Sequence, residues 1–305
     1  MALNLEQSSP SPTSSFHLMC GYGEDQAVTQ LIENGASIDA MCEMGLTPLN
    51  YAILAGHLNI VKILVESSAQ INILNTASLE SALHLSISER KVEITSFLVK
   101  NGADINLKDG YGRPPLDIAI MRNDIEIAEI LIESGVDVNA ADEHGDTILH
   151  IAGENNKIKM VDLLIKHGAN VNVANIVGET PLHGSAENGF KEITHILISN
   201  GANVNAKRAN GMNPLQDALI ALHKGKVQEE IIEMLILSGT DIDHFVDGLT
   251  ALHFCILNNY KDYVKILIKY GASLKIKSAS GYTPLESALH LENYDLMKLL
   301  TFFKH

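Results

Sequence analysis

Residues 178–205 read GETPLHGSAENGFKEITHILISNGANVN, and each landmark in that run has a local physical job. Thr180 is placed to cap a helix, and Pro181 fits the first helical turn, where a missing N–H costs nothing. Leu182 and Ala186 then share the inward face, the small alanine allowing close approach of a neighbouring helix. Gly189 closes a short turn. Ile193, Ile196 and Leu197, spaced i, i+3, i+4, give a second helix one apolar stripe. Gly201 stops that helix, because glycine tolerates a left-handed backbone. Residues 202–211 form an extended finger whose turn carries Asn210-Gly211.

The same punctuation recurs along the chain. In the frame Gly-x-Thr-Pro-Leu the leucine position falls at Leu49, Leu83, Leu116, Leu149, Leu182, Leu215, Leu252 and Leu285, with gaps of 34, 33, 33, 33, 33, 37 and 33. Nineteen residues after most of these leucines stands a glycine: Gly102, Gly135, Gly168, Gly201 and Gly271. Fixed-period self-similarity of this length is the mark of a repeat array, in which one helix pair cannot bury both its faces and stacking does so instead.

This spacing with these residues resembles the ankyrin-repeat family over about residues 14–305. The resemblance implies an all-α fold: an α-solenoid of nine stacked helix–turn–helix units with β-hairpin fingers. Residues 1–13, rich in Ser and Pro, read as a disordered tail, with Ser9-Pro10 and Ser11-Pro12 as possible phosphorylation sites. Residues 14–305 read as a single array: an N-terminal capping repeat over 14–40, internal repeats over 41–276 and a C-terminal capping repeat over 277–305. In the first, Phe16 takes the inward leucine position, Gly23 the interhelix turn and Gly35-Ala36 the stop.

Departures from the period locate irregular places. Leu79 stands where the finger glycine belongs, in a finger one residue longer than the others. Pro114 replaces the capping threonine of repeat four, and Ile148 the proline of repeat five. Repeat seven carries extra residues within 215–239, which predict a first helix lengthened to about Lys224, a turn at Gly225 and a longer second helix.

Catalytic constellations are scarce. GYGEDQ at 21–26 has Gln26 where a dinucleotide fingerprint needs glycine. DIDHFVDG at 241–248 puts Phe245 and Val246 where a calcium loop needs an oxygen ligand and a glycine, so it reads as a finger carrying acids. His84, His150, His183 and His253 are one position repeated. The resemblance implies that this imidazole hydrogen-bonds backbone near the neighbouring finger; in a row spaced by packed helices, such histidines would not converge on a metal. Asn72, Asn106, Asn139, Asn172 and Asn205 likewise recur as finger residues that satisfy backbone. No catalytic residue, metal or cofactor is expected, and only about 13 residues fall outside the repeats.

Recognition must then use the variable positions: finger tips and the exposed side of each first helix, which line the concave face of such arrays. The candidate partner-binding residues are Tyr111, Arg113, Met121 and Arg122 of repeat four, His144, Asp146 and Glu154 of repeat five, and Ile176, Val177 and Glu179 of repeat six. Met212, Leu249 and Tyr282 supply the next three repeats. Several of these are apolar where a solvated loop would be polar, a pattern that marks partner sites. Residues 101–200 hold 16 acids against 7 bases, so that part of the array should attract a basic protein segment.

A net charge of −15 argues against nucleic acid as partner, and no apolar run long enough to span a bilayer occurs. Three well-separated cysteines (Cys20, Cys42, Cys255) and an N-terminus without basic and apolar stretches fit a reducing, intracellular setting. The leading expectation is a monomeric, non-catalytic protein-binding scaffold in the cytoplasm. An alternative is the same scaffold deployed by a microbe or virus on host proteins, motivated by an Ile-, Asn- and Lys-leaning composition without Trp. An enzyme is the remote alternative.

Overall fold

A computed structural model describes residues 12–225 and 228–303. The expected phosphorylation sites lie outside these residues. So does most of the expected tail, because Pro12 and Thr13 already belong to the first helix. The chain separates into two compact units, Met1–Asp137 and Val138–His305.

The first unit carries four helix pairs: α1 (Pro12–Tyr22) with α2 (Asp25–Glu33), α3 (Pro48–Ala55) with α4 (Leu58–Glu66), α5 (Ala82–Ser88) with α6 (Val92–Lys100), and α7 (Pro115–Met121) with α8 (Ile125–Glu133). The second carries five: α9 (Ile148–Glu154) with α10 (Ile158–Lys166), α11 (Pro181–Glu187) with α12 (Lys191–Ser199), α13 (Pro214–Ile220) with α14 (Glu229–Leu237), α15 (Ala251–Leu257) with α16 (Lys261–Lys269), and α17 (Pro284–His290) with α18 (Tyr294–Phe302). Helices of seven to eleven residues are too short to persist alone, so packing must hold them. Within the first unit α1, α3, α5 and α7 stack in a row. Within the second, α9, α11, α13, α15 and α17 do the same.

The periodic leucines form the core. Leu83, Leu116, Leu149, Leu182, Leu215 and Leu252 are fully buried, and Phe16 fills the equivalent place in the first repeat. Leu285, in the last repeat, is only half-buried. In the second helix of repeat six, Ile193 and Leu197 are buried as expected while Ile196 is half-exposed. Its place on the inner stripe is taken by Thr194, whose hydroxyl donates to Ser185 Oγ at 3.2 Å.

Among the described residues every interhelix turn contains one residue with a left-handed backbone. Glycine serves at four of them: Gly23, Gly56, Gly189 and Gly225. Asn123, Asn156 and Asn259 serve at three, and Arg90 (φ 52°) and Glu292 (φ 53°) at the remaining two. Asparagine tolerates this region, whereas arginine and glutamate are held there by the stack. Leu79, at φ 53°, likewise adopts the conformation of the finger glycine it replaces.

Two expectations are corrected. Among the described residues the fingers contain no strand. They are hairpin-shaped turns, and only Ala141↔Thr147 and Val246↔Leu249 pair as isolated antiparallel bridges. In repeat seven neither helix is lengthened: α13 ends at Ile220, the chain tightens into a 3-10 turn over Ala221–Lys224, and Gly225 turns it (φ 66°) toward a nine-residue α14.

Candidate functional site

The recurring polar residues are consumed by the scaffold. His84 Nδ1 accepts from Ser81 N–H at 3.2 Å, which leaves its proton on Nε2 to donate to Arg113 O at 3.2 Å. His150 repeats the arrangement with Thr147 N–H and Glu179 O at 3.0 and 3.1 Å. His253 Nε2 reaches Tyr282 O at 3.0 Å. Gln216 does the same work in repeat seven, accepting from Asn213 N–H at 3.1 Å and donating to His244 O at 3.1 Å. Burial pushes the His84 and His253 pKa values down. At His183 the outer bond is not made, and burial with the nearby Arg208 charge pushes the imidazole down to about 4. Four of the five recurring asparagines are clamps between successive repeats. Asn172 donates to Gly201 O at 3.0 Å and accepts from Asn203 N–H at 2.7 Å, and Asn72, Asn139 and Asn205 make matching pairs of bonds.

What remains for recognition is the variable surface. In the first unit, Asp109 organises the tip of repeat four: Oδ1 accepts from the Tyr111 and Arg113 N–H groups, both at 2.9 Å, and Oδ2 accepts from Arg113 Nη2 at 2.7 Å and Nε at 2.9 Å. Burial raises the Asp109 pKa, but these bonds outweigh it and hold the carboxyl below its usual range. The Arg113 guanidinium stacks 4.6 Å from the Tyr111 ring centroid, and that ring is 78% exposed. Met121 Sδ lies 3.9 Å from Arg113 Nη1, so three of the four expected residues of this repeat form one patch. Arg122 follows at the end of α7, exposed.

In the second unit the fingers are zipped tip to tip. Ile176 N–H donates to His144 O at 3.0 Å, and Ala209 N–H donates to Val177 O at 2.8 Å. Asp142 and Asn175 shape these tips by accepting from the N–H groups of His144, Asp146, Val177 and Glu179. Ile176 is 71% exposed and Val177 48%, while the backbones beneath them are fixed. Tyr282 lies flat on His290, ring centroids 5.3 Å apart.

One hub was not foreseen from the sequence. Arg208 Nη2 reaches Glu179 Oε1 at 2.8 Å and Glu187 Oε2 at 3.0 Å, and its Nε lies 2.8 Å from Asp217 Oδ2. The Nε–H is not aligned for a hydrogen bond to Asp217, so that contact is an ion pair by proximity. Burial pushes the Asp217 carboxyl up to about 7, against the pull of Arg208. Burial raises Glu179 as well, and Glu154, where burial is followed by the neighbouring Glu179 charge. A signal for the hub was present: Arg208 falls in register with Asp109, Asp142 and Asn175, breaking a series of short acceptors.

Beside this hub lies a cleft of about 290 Å³. Met212 of one finger and Val246 and Leu249 of the next line it, together with Leu219 and Ile220 of α13 and Phe254 of α15. Met212 and Leu249, expected as tips, are half-buried here. The expected residues thus fall into a repeat-four patch in the first unit and, in the second, a finger row, an acidic hub holding Glu179, and this cleft. No helix among the described residues is long and apolar enough to cross a membrane.

Comparison with known proteins agrees with this architecture. A family model described as ankyrin repeats matches residues 3–75, 69–142, 149–245 and 218–304. The mouse B-cell lymphoma 3 protein homolog is 32% identical over 119 residues, 39% of this chain and 26% of that protein. Alpha-latrotoxin-Lg1a of Latrodectus geometricus is 33% identical over 96 residues, 31% of this chain and 7% of the toxin. Such matches span about a quarter of those relatives or less. Among solved structures, the ankyrin repeat domain of Bcl-3, a member of the IkappaB protein family, aligns with a TM-score of 0.66 at 26% identity, covering 75% of this chain and 99% of that one. The human ASB11 ankyrin repeat domain shares the fold with a TM-score of 0.59 at 24% identity, over 74% of this chain and 97% of that one. With family-model matches that together cover all but a few residues between 3 and 304, the chain belongs to the ankyrin-repeat family.

Proposed function

We propose that this chain is a non-catalytic scaffold that binds a protein partner through its finger tips and the exposed sides of its first helices, acting as a monomer inside a cell. Ankyrin repeats are protein-interaction modules, and the observation that carries the reading here is a division of labour. The recurring polar groups are spent on backbone, while apolar side chains at the tips (Tyr111, Ile176, Val177) stand exposed on fixed turns. Rigid presentation means little conformational entropy is lost on docking. The excess of carboxylates around Arg208 favours a partner segment that carries Lys or Arg, and it disfavours nucleic acid and anionic membrane. Two of the three cysteines are buried thiols, which suits a reducing compartment.

Affinity capture from native cells with wild type and with a Tyr111→Ala/Ile176→Ala/Val177→Ala variant tests the reading. The variant should lose the wild type's protein partners while its circular dichroism is unchanged. Equal recovery from both would discard the assignment.

A further inference from the structure

The cleft between the fingers of repeats seven and eight exists because of two local departures from the repeat. The finger of repeat eight is one residue shorter than that of repeat four: Gly239 precedes Leu252 by 13 positions, whereas Gly102 precedes Leu116 by 14. The other fingers close around a longer turn, such as that from Asp109 to Arg113. Here Val246 and Leu249 exchange both backbone hydrogen bonds at 3.0 Å across Asp247-Gly248. Both turn residues have positive φ, 51° and 81°, the conformation that Asp-Gly favours in two-residue hairpins. The second departure is Ala251, which stands where five other repeats carry the helix-starting proline, so that ring is missing from the wall. His244 then ties the two fingers together, its Nε2 donating to Gly211 O at 2.8 Å.

The lining is apolar, and its polar groups are mostly engaged internally. Gln216 is held at both ends of its amide, and Thr250 Oγ1 bonds His253 Nδ1 at 2.8 Å. Among the described residues the one charged lining group is the exposed Asp247 carboxylate. A volume of about 290 Å³ lies at the bottom of the range for ligand clefts, which suits one side chain better than a cofactor. Met212 gives it one adaptable wall, and Phe254 a flat aromatic one.

Resting on the protein-binding reading above, we infer that this cleft is the anchor pocket for a partner peptide: it takes one large apolar side chain, aromatic or leucine, flanked by lysine or arginine. Charge complementarity selects that occupant. Asp247 stands at the rim, and the Arg208 hub adjoins the cleft, because Arg208 N–H donates to Met212 O at 2.9 Å. That hub sets Glu179, Glu187 and Asp217 against one arginine. A second copy of a chain of net charge −15 is the wrong occupant on the same ground.

Methyl-labelled protein titrated with three capped peptides, Lys-Phe-Lys, Lys-Ala-Lys and Glu-Phe-Glu, tests this by NMR. Lys-Phe-Lys should shift the Met212, Val246 and Leu249 methyls saturably. The alanine peptide should bind about tenfold more weakly, and the acidic peptide about fivefold more weakly. Asp247→Asn keeps a favourable Asn-Gly turn and should weaken Lys-Phe-Lys about threefold without weakening Glu-Phe-Glu. Ala251→Leu fills the cleft and should abolish the shifts; the Asp247→Asn result stands by itself if that variant does not fold. Absence of saturable shifts at the cleft overturns the inference, as does equal binding of the acidic peptide. Shifts caused by raising protein concentration alone would make the occupant a second copy and also overturn it. Shifts confined to Ile176 and Val177 would remove the pocket while leaving the wider protein-binding reading intact. Failure of that wider reading is read separately, from the finger variant, which touches no cleft residue.

Discussion

Replacing Arg208 by methionine keeps most of the aliphatic stem and removes the charge from among three carboxylates. The arginine is 19% exposed, and its partners Asp217, Glu179 and Glu187 are 5%, 16% and 31% exposed as side chains. Removing one member of a buried ionic group costs about 3–5 kcal/mol, because the remaining charge is left uncompensated. Glu187 is near enough to solvent to be screened, so the lower end applies: about 3 kcal/mol at pH 8. The loss must depend on pH. Asp217 titrates at about 7 in the fold against an ordinary 3.8, so its ionised form opposes folding above pH 7. That opposition fades as pH falls from 7 toward 3.8. Without Arg208 the attraction that offsets burial is gone, so an ionised Asp217 at pH 8 opposes folding more strongly. At pH 5 protonation neutralises Asp217 in both proteins, so the difference should shrink to about 1 kcal/mol. Urea unfolding followed by circular dichroism at the two pH values measures this directly. Adding Asp217→Asn to the variant should recover part of the loss at pH 8. A loss under about 1 kcal/mol at pH 8, or one equal at both pH values, would refute the argument that burial makes this hub matter.

Three further outcomes follow from the same structure. His183 has a folded pKa of about 4 against an ordinary 6.5, so the unfolded chain takes its proton first and stability falls as pH drops from 6.5 to 4, by about 3 kcal/mol from this residue. His183→Gln should flatten the acid limb of an unfolding-against-pH curve over that interval; an unchanged limb would show that the imidazole is not buried neutral. Glu292→Gly relieves a left-handed glutamate (φ 53°) in the last interhelix turn and should raise stability by about 0.5–1 kcal/mol, read as a higher urea midpoint. Asn172→Asp keeps the acceptor for Asn203 N–H but loses the donor to Gly201 O, so it should cost about 1–2 kcal/mol and speed amide exchange at Asn203.

The parts of this molecule that were legible in advance are those where one residue type answers one local demand. The inward leucines, the glycines at helix ends and the Thr-Pro starts each solve a problem within a few residues, and the period made the leucines visible eight times over. The imidazoles were readable for the same reason. Arg208 was not, because Glu179 and Glu187 lie 29 and 21 positions away and converge only when repeats stack. The segment 215–224 looks continuously helical by composition, yet Ala221–Lys224 narrows to a 3-10 turn. Met212 and Leu249 were expected as exposed tips, and the shortened finger between them turned both inward to wall a cleft.

The central claim is that the finger side of each repeat faces a protein partner while the outer surface of its second helix faces solvent. Repeat six offers both in one unit: Ile176 at an exposed tip and Glu192 exposed on α12. A photo-crosslinking amino acid placed at one position or the other in the full chain, and irradiated in native cells, compares them directly. A discrete protein adduct at position 176 and none at 192 is the predicted result. Adducts of equal yield at both, or at 192 alone, would contradict the account.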